Sequence, residues 1–174
     1  QGQLGIGSTV SQTKPANVAA LAGQVVRVST GAAHTCVNTS DGAVWCWGDN
    51  RVGQLGDGTT TQRSVPTAVL GGLAFKQIVT ENLTTCGLTT AGSIYCWGWM
   101  QPYGLTYPAL AERSQLTPVP LISNGLSFAE IALWDTGLCG RTAAGSVYCL
   151  GDNGAGAVVP EAIHRSEEHT SELQ

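Results

Sequence analysis

The sequence predicts an all-β protein of repeated, cysteine-stapled sheets, on the strength of three observations. Gly contributes 23 of 174 residues and charged residues only 11%, against averages of about 7% and about 25%. Such a profile suits short strands and tight turns. The six cysteines fall into three pairs, Cys36 and Cys46, Cys86 and Cys96, Cys139 and Cys149, each ten positions apart. The text around each pair also recurs, as "CVNTSDGAVWCWG", "CGLTTAGSIYCWG" and "CGRTAAGSVYCLG", with first cysteines 50 and then 53 residues apart. A fixed period of about 50 residues is the signature of a repeat architecture.

Taken in order, the opening "GQLGIG" matches the later "GQLGDG" and reads as the tail of a preceding repeat, so the chain is expected to start inside a longer protein. A Pro-x-x-aliphatic element recurs at Pro15 to Val18, Pro66 to Val69 and Pro118 to Leu121. Before each cysteine pair comes a β-rich run with matched apolar positions: Val25 and Val28, Phe75 and Ile78, Phe128 and Ile131. Each cysteine pair then brackets a hairpin whose turn ends in Gly42, Gly92 or Gly145, the residue type that a left-handed turn position requires. The repeat cores lie near 25–56, 75–98 and 128–153, inside one region spanning 1–164.

A three-residue loop at Ser40 to Gly42 sets the register. Thr39 opposes Ala43, Val37 opposes Trp45, and Cys36 opposes Cys46 on one face. Directly opposed strand residues come close enough for a disulfide, so the spacing reads as a cross-strand staple in each repeat, with buried free thiols or a metal site as alternatives. Structural zinc favours ligands two to four residues apart, and a redox site favours Cys-x-x-Cys. Neither spacing occurs here. Disulfides imply an oxidising compartment: extracellular, periplasmic or cell-surface.

On the other hairpin face Val37 meets Trp45 and Thr35 meets Trp47, echoed by Tyr95 with Trp97 and Tyr148 with Leu150. Sheets with two apolar faces must be covered on both sides, and repeats of this length achieve that as blades of a β-propeller. Because closed rings need about four to eight blades, three blades leave the terminal sheet faces, with Trp45, Val37, Tyr148 and Leu138, expected to stand open.

The stretch "GAAHTCVNTSDGAVWCWGDNRVGQLGDGTT" resembles the repeat of the regulator of chromosome condensation family, in its cysteine-bearing bacterial form. Gly31, His34, Cys36, Asp41, Gly42, Trp47, Gly48, Asn50, Gly53, Gln54, Leu55 and Gly56 carry the match. The second repeat departs from it where "WGWMQPYGLTYPALAERSQL" replaces the Asn-x-x-Gly-Gln-Leu-Gly turn. The third stops after "GDNG". The resemblance implies a seven-bladed ring, of which about three blades are present as an incomplete β-propeller.

The residues name no catalyst. "GQLGIGS" and "GQLGDGT" lack the Gly-Lys-Ser/Thr of a phosphate loop, and the twelfth position from Asp49 is Thr60 rather than the Glu of a calcium loop. Asn50 and Asp57 read as turn-capping residues, and His34 as a structural histidine. Asn38 and Asn82 stand in formal glycosylation sequons. No metal or cofactor is expected. With Lys at only two positions and a net charge of −4, nucleic acid is an unfavoured partner, and no apolar run reaches membrane-span length. Trp99, Met100, Tyr103 and Tyr107 break the repeat with aromatic residues and Met, which marks a possible interaction loop. The final ten residues, Arg165 to Gln174, read as the in-frame translation of a sequencing adapter rather than native protein. Without their one Arg and three Glu the net charge moves from −4 to −2.

The expected function is a non-enzymatic, secreted or surface-attached scaffold whose partner is a protein. Two alternatives come from the resemblance and the fold: guanine nucleotide exchange on a small GTPase, and the non-catalytic part of a polysaccharide-acting enzyme.

Overall fold

The computed structural model describes residues 1–100, 114–121 and 125–151, and the backbone of 161–162. The end of the third repeat core, 152–153, and the final ten residues, 165–174, lie outside the described residues. Among the described residues, twelve strands form three four-stranded antiparallel sheets. The first holds β1 (Val25–Thr30), β2 (His34–Thr39), β3 (Val44–Gly48) and β4 (Arg63–Ala68). The second holds β5 (Phe75–Glu81), β6 (Thr84–Thr89), β7 (Ile94–Trp99) and β8 (Ser114–Pro120). The third holds β9 (Phe128–Trp134), β10 (Gly137–Thr142), β11 (Val147–Gly151) and β12 (Glu161–Ala162). Each sheet is a simple meander, one per repeat.

The hairpin register is the expected one. Val37 pairs with Trp45, Cys36 with Cys46 and Thr35 with Trp47, and the equivalent pairs recur in the other two sheets. Gly42 has φ +84°, its amide donates to the Thr39 carbonyl, and the Thr39 amide donates to Ala43. The three cysteine pairs are disulfides, and no described cysteine is free.

One feature of the sequence looks inconsistent with strands: the matched apolar residues of β1, β5 and β9 lie three apart, whereas one face of a strand repeats every two residues. A β-bulge resolves it. Register shifts fall between Val25 and Arg27, between Phe75 and Gln77, and opposite Arg141 and Thr142, where β9 passes from Phe128 to Glu130. The extra residue turns Phe75 and Ile78 onto the same face. Pro66 and Pro118 lie in β4 and β8, which are edge strands, where a missing N–H costs no ladder bond.

The sheets stack face to face in chain order. Between the first and second lie Cys36, Val44, Cys46, Leu55, Phe75, Ile78 and Trp97. Between the second and third lie Cys86, Ile94, Cys96, Phe128, Ile131 and Leu138, with Tyr148 packed against them. The disulfide face of each sheet therefore meets the Phe/Ile face of the next, and Phe75 and Phe128 fill the space over Gly87 and Gly140, where a Cβ would stand 2.5 Å from each ring.

Two details correct the sequence reading of the terminal faces. Leu138 and Tyr148 point inward to the second sheet, because the alternation of β10 sends the Cys139 face outward instead. Val37 and Trp45 are covered by the chain's own leading segment, through Val18 and Leu21. That segment docks as its repeat does elsewhere: Gly5 lies against the Trp47 ring as Gly56 lies against Trp97, both with φ +70° and no room for a Cβ.

Candidate interaction face

One end of the three sheets is formed by the turns β1–β2, β5–β6 and β9–β10, with the β3–β4 connection beside them. Its rigidity starts at His34, which is 1% exposed. The Thr85 hydroxyl donates to the Gln54 carbonyl at 2.8 Å, so its oxygen is left to accept from His34 Nε2 at 3.0 Å. Nδ1 is then the unprotonated nitrogen, and it has no partner in the fold. Burial pushes the pKa of His34 down to about 4, with Asp49 only partly offsetting it. His34 thus joins the first sheet to the second as a neutral ring, and Gly31 is needed beside it, since a Cβ there would stand 2.4 Å from the ring.

The β3–β4 connection is organised around Asn50, which is fully buried. Its Oδ1 accepts from the Leu55 amide, and its Nδ2 reaches Asp57 Oδ1, the Thr59 carbonyl and the Thr61 carbonyl at 3.0 to 3.1 Å. Asp57 is paired with Arg63 at 2.8 Å. Burial opposes ionisation of Asp57, but the Thr59 hydroxyl, Arg63 and Asn50 together hold its carboxyl below the usual range. Asn50 and Asp57 are thus turn-organising residues, as their positions in the repeat suggest, and the described residues contain no cluster able to hold a metal ion.

The three turn tips are linked. The Ala32 amide donates to the Asn82 carbonyl at 3.1 Å, and Asn82 Nδ2 donates to Asp135 Oδ1. Next to Asp135 stands Trp134, 38% exposed. Its Nε1 donates to Thr136 Oγ1 at 3.0 Å, and its ring lies over Gly137, where a Cβ would stand 2.2 Å away. Trp134 is a large apolar surface held in one orientation.

Sequence reasoning placed the interaction residues elsewhere. Trp99 is half-buried and ends β7, its amide bonded to the Leu83 carbonyl. Met100 is 4% exposed and belongs to the core between the second and third sheets, so it presents nothing to solvent. Tyr103 and Tyr107 lie outside the described residues. Trp134 was legible in the repeat alignment, where it takes the place of Gly31 and Glu81. Asn38 is buried, with Nδ2 bonded to the Phe75 carbonyl, so of the two sequons only Asn82 is accessible.

Residues 1–37 and 41–80 match the regulator of chromosome condensation (RCC1) repeat, and residues 25–54 match a second description of the same repeat. The chain carries repeats of the RCC1 family. Among its relatives is the ultraviolet-B receptor UVR8 of Arabidopsis thaliana, 30% identical over 160 residues, which cover 90% of this chain and 36% of the receptor. Among solved structures, human WBSCR16 superimposes with a TM-score of 0.79 at 24% identity, over 93% of this chain and 45% of that one. Prp20p of Saccharomyces cerevisiae superimposes with a TM-score of 0.62 at 21% identity, over 74% and 32%. The chain therefore spans about a third of the length of UVR8. Its three sheets are blades of an RCC1-type β-propeller.

Proposed function

We propose that this chain is part of a non-enzymatic, secreted or surface-attached propeller that binds a protein partner through the end of the blades carrying Trp134. The observation that carries the reading is the fixed, exposed Trp134 on a ridge of mutually bonded turns. A preorganised aromatic loses little entropy on binding and is the residue type that anchors protein interfaces. Three further facts support it. Three disulfides suit an oxidising compartment. The related Prp20p structure is described together with binding to Gsp1p and histones, which makes protein binding a use of this fold. The low content of Lys and Arg, 8 of 174 residues, favours a protein over a nucleic acid.

The test is photo-crosslinking. A crosslinking residue is placed at Ala32, on the ridge and exposed, or at Asp41, on the hairpin tips at the opposite end, and the oxidised protein is exposed to the secreted fraction of its source. A specific adduct is expected from position 32 and none from 41. For the partner so identified, Trp134→Ala is expected to weaken binding at least about tenfold, the effect of losing an aromatic anchor. Equal labelling at both ends, or unchanged affinity, would refute the assignment of this face.

A further inference from the structure

The chain holds two Asn-x-Ser/Thr tripeptides, Asn38-Thr39-Ser40 and Asn82-Leu83-Thr84, and the fold treats them oppositely. Asn38 is buried in β2, and its Nδ2 donates to the Phe75 carbonyl of the second sheet at 3.2 Å. A substituent on that nitrogen would break the bond and part the first sheet from the second. Asn82 is exposed in the β5–β6 turn, with φ +43°, in the left-handed region that Asn tolerates better than most side chains. Its backbone ties the ridge together. The Asn82 carbonyl accepts from the Ala32 amide at 3.1 Å, and the Leu83 carbonyl accepts from the Trp99 amide at 3.0 Å. The side chain stands outside that backbone network, its Nδ2 donating to the exposed Asp135.

From this contrast we infer that Asn82 carries an N-linked glycan, attached as the chain enters an oxidising secretory compartment. The inference rests on the secreted assignment proposed above, and not on which face docks the partner. Asn followed by any residue except Pro and then by Ser or Thr is the acceptor motif. The donor is an oligosaccharide carried on a lipid diphosphate. Asn82 Nδ2 bonds to C1 of the first sugar, the bond from C1 to the diphosphate oxygen breaks with its electron pair going to the diphosphate, and the amide gives up one proton. One N–H remains on Nδ2, enough for Asp135. No backbone hydrogen bond of the ridge is touched. The sugar rises from the middle of the ridge, so a partner of this face meets it as well as the indole of Trp134.

The fold also sets the order of events. Thr84, the hydroxyl residue of the motif, is fully buried, and its hydroxyl donates to the Trp99 carbonyl at the end of β7. The motif is therefore complete and accessible only before β6 pairs with β7, a pairing that also brings Cys86 opposite Cys96. Attachment precedes the folding of this hairpin, and folding then selects among the products. A chain modified at Asn38 cannot seat Phe75 against the first sheet. A chain modified at Asn82 folds as the unmodified chain does. The folded, disulfide-bonded product accordingly carries sugar at one of its two motifs.

The test is to secrete the whole chain, behind a secretion leader, from a eukaryotic cell line and to read the medium by intact mass and peptide mapping before and after digestion with an N-glycosidase. One glycan is expected, on the peptide containing Asn82, and none on the peptide containing Asn38. Enzymatic release is expected to leave a carboxylate at position 82, visible as a mass change in that peptide. Asn82→Gly keeps the left-handed backbone free of strain and is expected to be secreted with all three disulfides and with the glycan lost entirely. Secreted, disulfide-bonded protein with no sugar at Asn82 would overturn the inference and leave the secreted assignment standing. So would a glycan that persists in Asn82→Gly, or one on Asn38 in the folded product. Chains held in the cell with free thiols would overturn the secreted assignment itself, and the glycan with it.

Discussion

At the scale of single residues, the buried polar groups decide how the protein responds to acid. The pKa of His34 is about 4 in the fold and 6.5 in its absence, so between these values the unfolded chain binds a proton that the folded chain refuses. Stability therefore falls as pH drops through this window, and above pH 6.5 the residue contributes no pH dependence. A difference of this size corresponds to about 3 kcal/mol at about 1.4 kcal/mol per unit. Asp57 adds to the acid sensitivity at lower pH, because its folded pKa is depressed and the stability it contributes is lost as it protonates. The His34 share can be isolated with His34→Gln, which can still donate to Thr85. Urea unfolding at pH 7 and pH 4 is expected to show a loss in the unaltered chain about 3 kcal/mol greater than in the variant. Equal losses would show that His34 is protonated or hydrated in the fold.

At the scale of elements, the same disulfide occurs in three environments, which separates the geometry of the hairpin from its surroundings. Closing an 11-residue loop stabilises by roughly 2 to 3 kcal/mol in the chain-entropy model wherever it occurs, but attack by a thiolate needs access to the sulfur. Cys139–Cys149 is half-buried and the other two pairs are fully buried. Limited reduction followed by alkylation and peptide mapping is expected to label Cys139 and Cys149 well before the other four. Simultaneous labelling would mean that the inter-sheet packing opens as readily as the exposed edge. The hairpins were legible in the sequence because strand pairing is local: a fixed ten-residue spacing and a Gly at the turn leave one register. The bulges at Val26 and Lys76 were visible only as an awkward three-residue spacing of apolar positions. Which face of β10 points inward was not legible. Leu138 and Cys139 are adjacent, both apolar, and the choice depends on what the neighbouring sheet presents. Trp134, at the end of β9, stood out in the sequence only as an aromatic in the place of Gly31 and Glu81, and it takes the contact with Gly137 to show that its ring lies across the surface.

At the scale of the molecule, stability should run along the stack as it does in other repeat proteins, where each unit contacts only its neighbours and the total is a sum of unit and junction terms. The second sheet has a junction on each side, and every residue of β6 is buried. The first and third sheets have one sheet neighbour each, and β1 is exposed along nearly its whole length. The leading segment partly makes up the deficit of the first sheet by covering Val37 and Trp47, and among the described residues the third sheet has no comparable cover over Cys139 and Val147. The expected order of opening is therefore third sheet, first sheet, second sheet. Native-state hydrogen exchange reads this order directly, because amides in each sheet exchange at the free energy of the unit that opens. β6 and β7 are expected to be the slowest, β2 and β3 intermediate, and β10 and β11 the fastest. Uniform exchange across the three sheets would mean that the blades unfold as one cooperative body and that their stability is not a sum of nearest-neighbour junctions.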